Sequence, residues 1–183
     1  MPDSDIIDLQ KTLWVVMDPW SDQPNRSNQL STDKLTYINN INDFIAKKIA
    51  EYFEAWKIPY CNILICTDLN NGPVHFKLRQ YFTISSNVYD IWNYMEKQKF
   101  KNIIYTGFHH GVCLLHRKAG ALQGRKLKYN TYIHREFIAP LADDSWITND
   151  YKTLRVGIPM ITGDFSYRNN EYHTKAIQIS KPD

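Results

Sequence analysis

Residues 102–115 read NIIYTGFHHGVCLL, an apolar run, a glycine, a polar turn and then a cysteine that opens a second apolar segment. Asn102 to Thr106 fits a strand buried on both faces, because such strands are continuously apolar rather than alternating. Gly107 marks a turn, and the chain from about Gly111 reads as a helix, so Cys113 falls in its first turn or two. Working outward, Thr12 to Met17 (TLWVVM) is a second such run, stopped by Asp18 and Pro19, and Cys61 to Thr67 (CNILICT) is a third, closed by Asp68. Between these two lies the polar loop SDQPNRSNQLSTD, followed by a helical stripe of Ile38, Ile41, Ile45, Ile49, Tyr52, Phe53 and Trp56. Ser31 or Thr32 suits its N-cap, and Ile58-Pro59 closes it. Val74 to Lys77 reads as a short extended piece. Ser85 or Ser86 can cap a helix carrying Val88, Ile91, Trp92 and Met95, and Lys128–His134 and Arg155–Thr162 supply further strands. Apolar runs that alternate with amphipathic segments predict parallel βαβ units. The expected product is a single three-layer α/β/α domain over residues 1–183, with an open, mostly parallel, Rossmann-like sheet. Residues 163–183 read as an additional C-terminal segment, either an extra strand or an oligomer contact.

Composition narrows the function classes. A chain of 183 residues with 43% hydrophobic content suits one globular domain. With 22 basic and 19 acidic residues the charge is nearly balanced, and Arg117, Lys118, Arg125, Lys126 and Lys128 read as a solvated surface rather than a nucleic-acid patch. Three cysteines, an odd number, argue against a disulfide framework and for a reducing compartment. The acidic start, MPDSDIIDLQ, lacks the apolar core of a signal peptide, and no stretch approaches the roughly 18 apolar residues of a membrane span. A cytoplasmic protein without membrane or nucleic-acid partners is expected.

In open parallel sheets the reactive crevice lies outside the carboxyl ends of the strands. Asp18, Asp68 and the segment beginning at Gly107 all occupy such ends. A thiol at a helix N-terminus meets backbone N–H groups and the positive end of the macrodipole, so Cys113 is expected to have a lowered pKa, whereas Cys61 and Cys66 lie within a strand run as small hydrophobes. A nucleophile still needs a base and a neighbouring charge. Asp18 is placed to be the base, although an Asp ending a strand also serves as a plain cap. Lys77, the one lysine between Lys57 and Lys97, is the candidate cation. Three other readings are weaker. His110, Cys113 and His116 could share a helix face around a metal, but three ligands on one helix fit tetrahedral geometry poorly. A dyad of Cys113 with His109 or His110 brings thiol and imidazole too close along one turn. A dinucleotide-dependent oxidoreductase needs a Gly-rich turn after the first strand, which DPWSDQP does not provide.

The segment IIYTGFHHGVCLL resembles the nucleophile segment of isochorismatase-like cysteine hydrolases, which include nicotinamidases and N-carbamoylsarcosine amidases: an apolar strand, a Gly, five residues, then the Cys. LWVVMDPW resembles the family's first strand with its terminal Asp, and YINNINDFIAKKIAEYFEAWKIPYCNILICTD looks like the next helix and strand. Lys77 lies 11 residues before Val88, as the family's catalytic Lys does before its following helix, and the likeness runs in order from about Thr12 to His134. The resemblance implies an Asp18–Lys77–Cys113 triad in which Cys113 attacks a carbonyl carbon. The backbone N–H groups of Cys113 and His109 would hold the oxyanion, with a cis peptide at Phe108–His109 by analogy. Cleavage of a C–N bond through a thioester, on a small substrate with an apolar or aromatic part, is the implied reaction; Trp20, Phe82, His109 and His110 are the candidate pocket walls. Isochorismatase-type vinyl-ether hydrolysis and ligand or partner binding without turnover are the alternatives. No cofactor or metal is expected, and a homo-oligomer is. The sequence departs from the family in three places. After Asp68 the chain LNNGPVH offers only His75 where nicotinamidases carry a metal motif; LRQYFTISS replaces the usual Ser-Ala-Phe-like stretch after the Lys; and the late helix is hard to find in ADDSWITNDYKTL.

Overall fold

A computed structural model describes residues 5–23, 30–68, 72–85, 90–141, 146–166 and 171–176. Its centre is an eight-stranded sheet in the order β1-β8-β7-β6-β5-β2-β3-β4. The strands β2 (Thr12–Met17), β3 (Ile63–Thr67), β4 (Phe82–Ser85), β5 (Asn102–Phe108), β6 (Asn130–Ala139) and β7 (Met160–Ser166) run parallel. β8 (Glu171–Ala176) joins antiparallel to β7, and β1 (Asp5–Asp8) antiparallel to β8. The central strands β2, β3 and β5 are buried at every position because both faces are covered. Trp14 and Val16 of β2, Ile63 and Ile65 of β3 and Ile104 of β5 pack with Ile45, Ile49 and Phe53 of α1 (Thr32–Ala55). The alternate residues Leu13, Val15, Met17, Leu64, Ile103 and Tyr105 turn to the other face. There they meet Ile91, Trp92 and Met95 of α2 (Asp90–Gln98), Leu114 and Leu115 of α3 (Cys113–His116) and Ala121 of α4 (Ala121–Lys126). Trp146 and Leu154 of α5 (Trp146–Arg155) lie against the same side. The three-layer α/β/α reading holds.

Several local expectations change. Ser31 is the N-cap of α1, its Oγ accepting from the Lys34 N–H at 3.3 Å. Cys61 sits outside β3, exposed in the short turn Tyr60–Asn62, because Asn62 turns its amide inward to donate to the carbonyls of Leu9 and Thr12 at 2.9 and 2.8 Å. Val74 makes an isolated bridge with Trp20, and the chain then coils through a 3-10 turn at Phe76–Leu78, so the stretch Val74–Lys77 is no strand. The helix expected from Gly111 is broken into α3 and α4. Gly120 lies so close to the carbonyls of Leu114, Leu115 and Arg117 that a Cβ there would come within 2.8–2.9 Å of them. Arg155–Thr162 divides between the end of α5 and the start of β7, and the tail contributes β8. Val88 lies outside the described residues.

After β2 the chain builds β3 and β4 on one side, then crosses to place β5 on the other, so strand order reverses between β2 and β5. That switch point is where a parallel sheet opens a crevice. The two strands are held unusually close there: Gly107 pairs with Met17, has φ of +93°, and a Cβ on it would lie 2.5 Å from the Met17 carbonyl oxygen. A side chain therefore faces both a backbone clash and a disfavoured φ. Gly107→Ala is expected to lower stability by roughly 2 kcal/mol or more, read by urea unfolding.

Candidate active site

Asp18 follows β2 directly and adopts a left-handed backbone, with φ of +48°. Its N–H donates to the Cys66 carbonyl at 2.9 Å, and the turn buries the carboxylate completely. The Asp68 N–H donates to Oδ1 at 3.3 Å, and Arg117 donates to Oδ2 from Nε at 3.3 Å and from Nη2 at 3.2 Å. The Cys113 thiol is hydrogen-bonded to the same carboxylate. Burial pushes Asp18 above the usual carboxylate range, against the opposing pull of Arg117 and of these hydrogen bonds.

Cys113 opens α3, and the His109 N–H donates to its sulfur across the turn. The thiol is pushed up to about 11, first by burial and then by the Asp18 charge, with Arg117 and the His109 N–H acting the other way. The expected lowering by a helix N-terminus is not seen. α3 is a single turn, Cys113–His116, so few peptide dipoles add up behind the sulfur, and burial beside an anion outweighs them. The thiol therefore keeps its proton at neutral pH, beside the Asp18 carboxyl. The Phe108–His109 peptide is cis. His109 itself is buried and pushed down to about 4 by burial and by Arg117, so its ring is neutral, and its Nε2 has no hydrogen-bond partner among the described residues.

Among solved structures, an isochorismatase-like hydrolase from Alkaliphilus metalliredigens is similar with a TM-score of 0.60 at 12% identity, over 83% of this chain and 94% of that one. The nicotinamidase SaPncA from Staphylococcus aureus gives 0.59 at 15% identity, over 82% and 98%. The YcaC gene product of Escherichia coli, described as an octameric hydrolase of unknown specificity, gives 0.58 at 13% identity, over 85% and 77%. The chain has the isochorismatase-like hydrolase fold. No protein-family model and no curated protein matches the sequence.

Within this isochorismatase-like fold, five sequence-derived positions need correction or relocation. Lys77 does not reach Asp18: it is exposed on the 3-10 turn, its Nζ 5.9 Å from the Phe76 ring centroid. The cation on Asp18 is Arg117, which composition alone had assigned to a solvated surface. Its signal was the spacing from Cys113, four residues along one helical turn, which brings both side chains to one side. Phe82 is the first residue of β4 and pairs with Leu64 near the start of β3, so it sits toward the amino end of the sheet, opposite Asp18, and borders another groove with Ile84, Ile91 and Tyr94. His110 is fully buried and turned toward α5, its Nε2 3.2 Å from Thr153 Oγ1, and walls no crevice. Trp20 lies beside Asp18 but is buried, its indole donating to the Asp68 carbonyl at 3.3 Å. Among the described residues no group of three or more His, Cys, Asp and Glu is arranged to hold a metal ion, and no helix is long and apolar enough to cross a membrane.

Removing the cation tests the electrostatics. Arg117→Met leaves a buried carboxylate unpaired, and the expected loss is roughly 3 kcal/mol at pH 7, the low end for a broken buried pair because the Arg117 side chain is 25% exposed. Asp18 titrates above 3.8 in the fold, so the native state gains a proton more readily than the unfolded chain as pH falls. The variant's deficit should therefore shrink as pH falls through the raised value, which urea unfolding over a descending pH series from pH 7 would show.

Proposed function

We propose that this chain is a cysteine hydrolase that cleaves a C–N, amide-type bond of a small substrate, with Asp18, Arg117 and Cys113 as its working residues. The observation that carries this reading is the convergence of thiol, carboxylate and guanidinium at the sheet's switch point. Asp18 takes the thiol proton as the sulfur attacks the carbonyl carbon. The oxyanion is received by the N–H groups of Cys113 and His109, the latter released from the sulfur as charge moves to oxygen. The carboxyl of Asp18 then protonates the departing amine, leaving a thioester on Cys113. Water, deprotonated by Asp18, adds to the thioester, and collapse returns the proton to sulfur and frees the acid. Arg117 keeps the carboxylate placed and partly neutralised throughout; a guanidinium does this without exchanging protons.

The similarity to an isochorismatase-like hydrolase supports hydrolase chemistry here, and the similarity to a nicotinamidase supports an amide substrate. The octamer described for the Escherichia coli protein supports a homo-oligomer here, which light scattering on the purified chain would read. Three free cysteines suit a reducing, cytoplasmic setting.

A panel of small aliphatic and aromatic amides, followed by intact-mass and peptide mass spectrometry, tests the reading. An acyl adduct on Cys113 is expected, with Cys113→Ala and Asp18→Asn each lowering kcat/KM by a factor of about 10³ or more. Lys77→Ala should stay within about threefold of the parent. An adduct on Cys61 or Cys66, or turnover that survives Cys113→Ala, would sink the proposal.

A further inference from the structure

Behind the turn that carries Cys113 lies a polar cluster with no part in the chemistry above. α5 presents Asn149, Asp150 and Thr153 to residues 109–111, and all three are buried. Asn149 Nδ2 donates to the His110 carbonyl at 3.1 Å. Gly111, with φ of +79°, leaves room for that amide, since a Cβ there would stand 2.3 Å from Asn149 Oδ1. On the other side the His110 N–H donates to the Ala139 carbonyl at 2.9 Å, so the backbone of this turn is tied to both the end of β6 and α5. The His110 ring is held as well: Nε2 is in hydrogen-bond contact with Thr153 Oγ1 at 3.2 Å, and Nδ1 lies 3.3 Å from Asp150 Oδ1, in close contact but without a hydrogen bond between those two atoms. Asp150 is held in turn by Arg135, whose Nε donates to Oδ2 at 2.8 Å and whose guanidinium stacks 3.8 Å over the Trp146 ring.

Docking a helix through a buried carboxylate, an imidazole and an amide is a costly way to cover a sheet, because each polar group must be stripped of water and an apolar face would do the covering alone. What such a network adds over apolar packing is direction. Hydrogen bonds fix orientation where hydrophobic contacts tolerate sliding. The group whose direction matters is one residue away: the His109 N–H that points at the Cys113 sulfur.

We propose that Asp150 and Thr153, acting through the buried His110 ring, are positioning residues that hold the His109 N–H on the sulfur of Cys113. The functional meaning rests on the cysteine-hydrolase reading, since that N–H is one of the two oxyanion donors. Neither residue touches the reacting atoms. Their effect is on the geometry of the turn, and Asn149 fixes its carbonyl side.

Residue-resolved amide hydrogen exchange on the full chain, measured by NMR, tests this alongside turnover. Asp150→Asn and Thr153→Val should each speed exchange at His109 at least tenfold while the β5 amides of Ile103 and Tyr105 exchange as in the parent; Thr153→Ser, which restores the hydroxyl, should leave both as in the parent. In the amide assay the first two should lose kcat at least tenfold with KM nearly unchanged. Where Asp150→Asn fails to fold, the Thr153 pair alone decides. Parent-like exchange at His109 in Thr153→Val, or exchange that rises equally at His109 and in β5, overturns the proposal. A localised rise at His109 in a chain that turns over no amide supports the positioning role and overturns the hydrolase reading instead, so the two fail separately.

Discussion

A carboxylate with no exposure to water sits at the end of β2, and the neighbourhood is built to keep it there. Burying an ionised group of this kind costs several kcal/mol even after the protein relaxes around it. For Asp18 that penalty is offset by two hydrogen bonds from Arg117, one from the Asp68 N–H and one with the Cys113 thiol. Each partner comes from a different place in the chain, so each fixes an element. The Asp68 N–H ties β3 to β2. Cys113 and Arg117 tie the turn after β5. The close pairing of Gly107 with Met17 sets how near β5 can stand, and hence whether a thiol four residues after the cis peptide can reach across the switch point.

The same burial decides how protons move. Desolvation raises both the carboxyl and the thiol, and the anion of either raises the other. A thiol that keeps its proton beside Asp18 and Arg117 is therefore favoured over a resting ion pair of thiolate and guanidinium. The attacking anion need exist only as the proton leaves, which keeps a buried sulfur from reacting with whatever enters. Arg117 holds this balance from one side and the neutral His109 ring from the other, because a second cation so close to Arg117 is disfavoured by its charge as well as by burial.

Much of this could be read from residue order. Buried parallel strands announce themselves as unbroken apolar runs, and Thr12–Met17 and Asn102–Thr106 are of that kind. Polar residues that end such runs fall at the carboxyl edge of the sheet by topology alone, which is why Asp18 and the Gly107–Cys113 segment could be placed beforehand. What could not be read depended on turns. Elimination and the distance from Val88 single out Lys77, but a 3-10 turn points it to water. Arg117 was hidden in a basic surface run, because nothing in composition distinguishes a guanidinium that folds back one turn from one that does not. β4 carries a half-exposed pattern with Phe82 63% exposed, typical of an edge strand and easily taken for loop. α5 was illegible for a different reason. Its inward face uses Asn149, Asp150 and Thr153 in place of an apolar stripe, so no hydrophobic period marks it.

The source of the cation changes how the site can be disturbed. A lysine on a separate loop, as the family resemblance implies, would adjust its reach independently of the nucleophile. Here thiol and guanidinium leave the same single turn, so any rotation of α3 displaces both from Asp18 at once. One turn of helix has little rigidity of its own, since its hydrogen bonds are few and its end is broken by the sharp passage to Gly120. Stiffness must come from outside. Leu114 and Leu115 supply it below, anchored in the core between sheet and helices, and the hydrogen-bonded contact of α5 with His110 supplies it before the turn begins. A polar clamp on one side and an apolar anchor on the other are what a short helix needs if two of its side chains are to share one buried carboxylate.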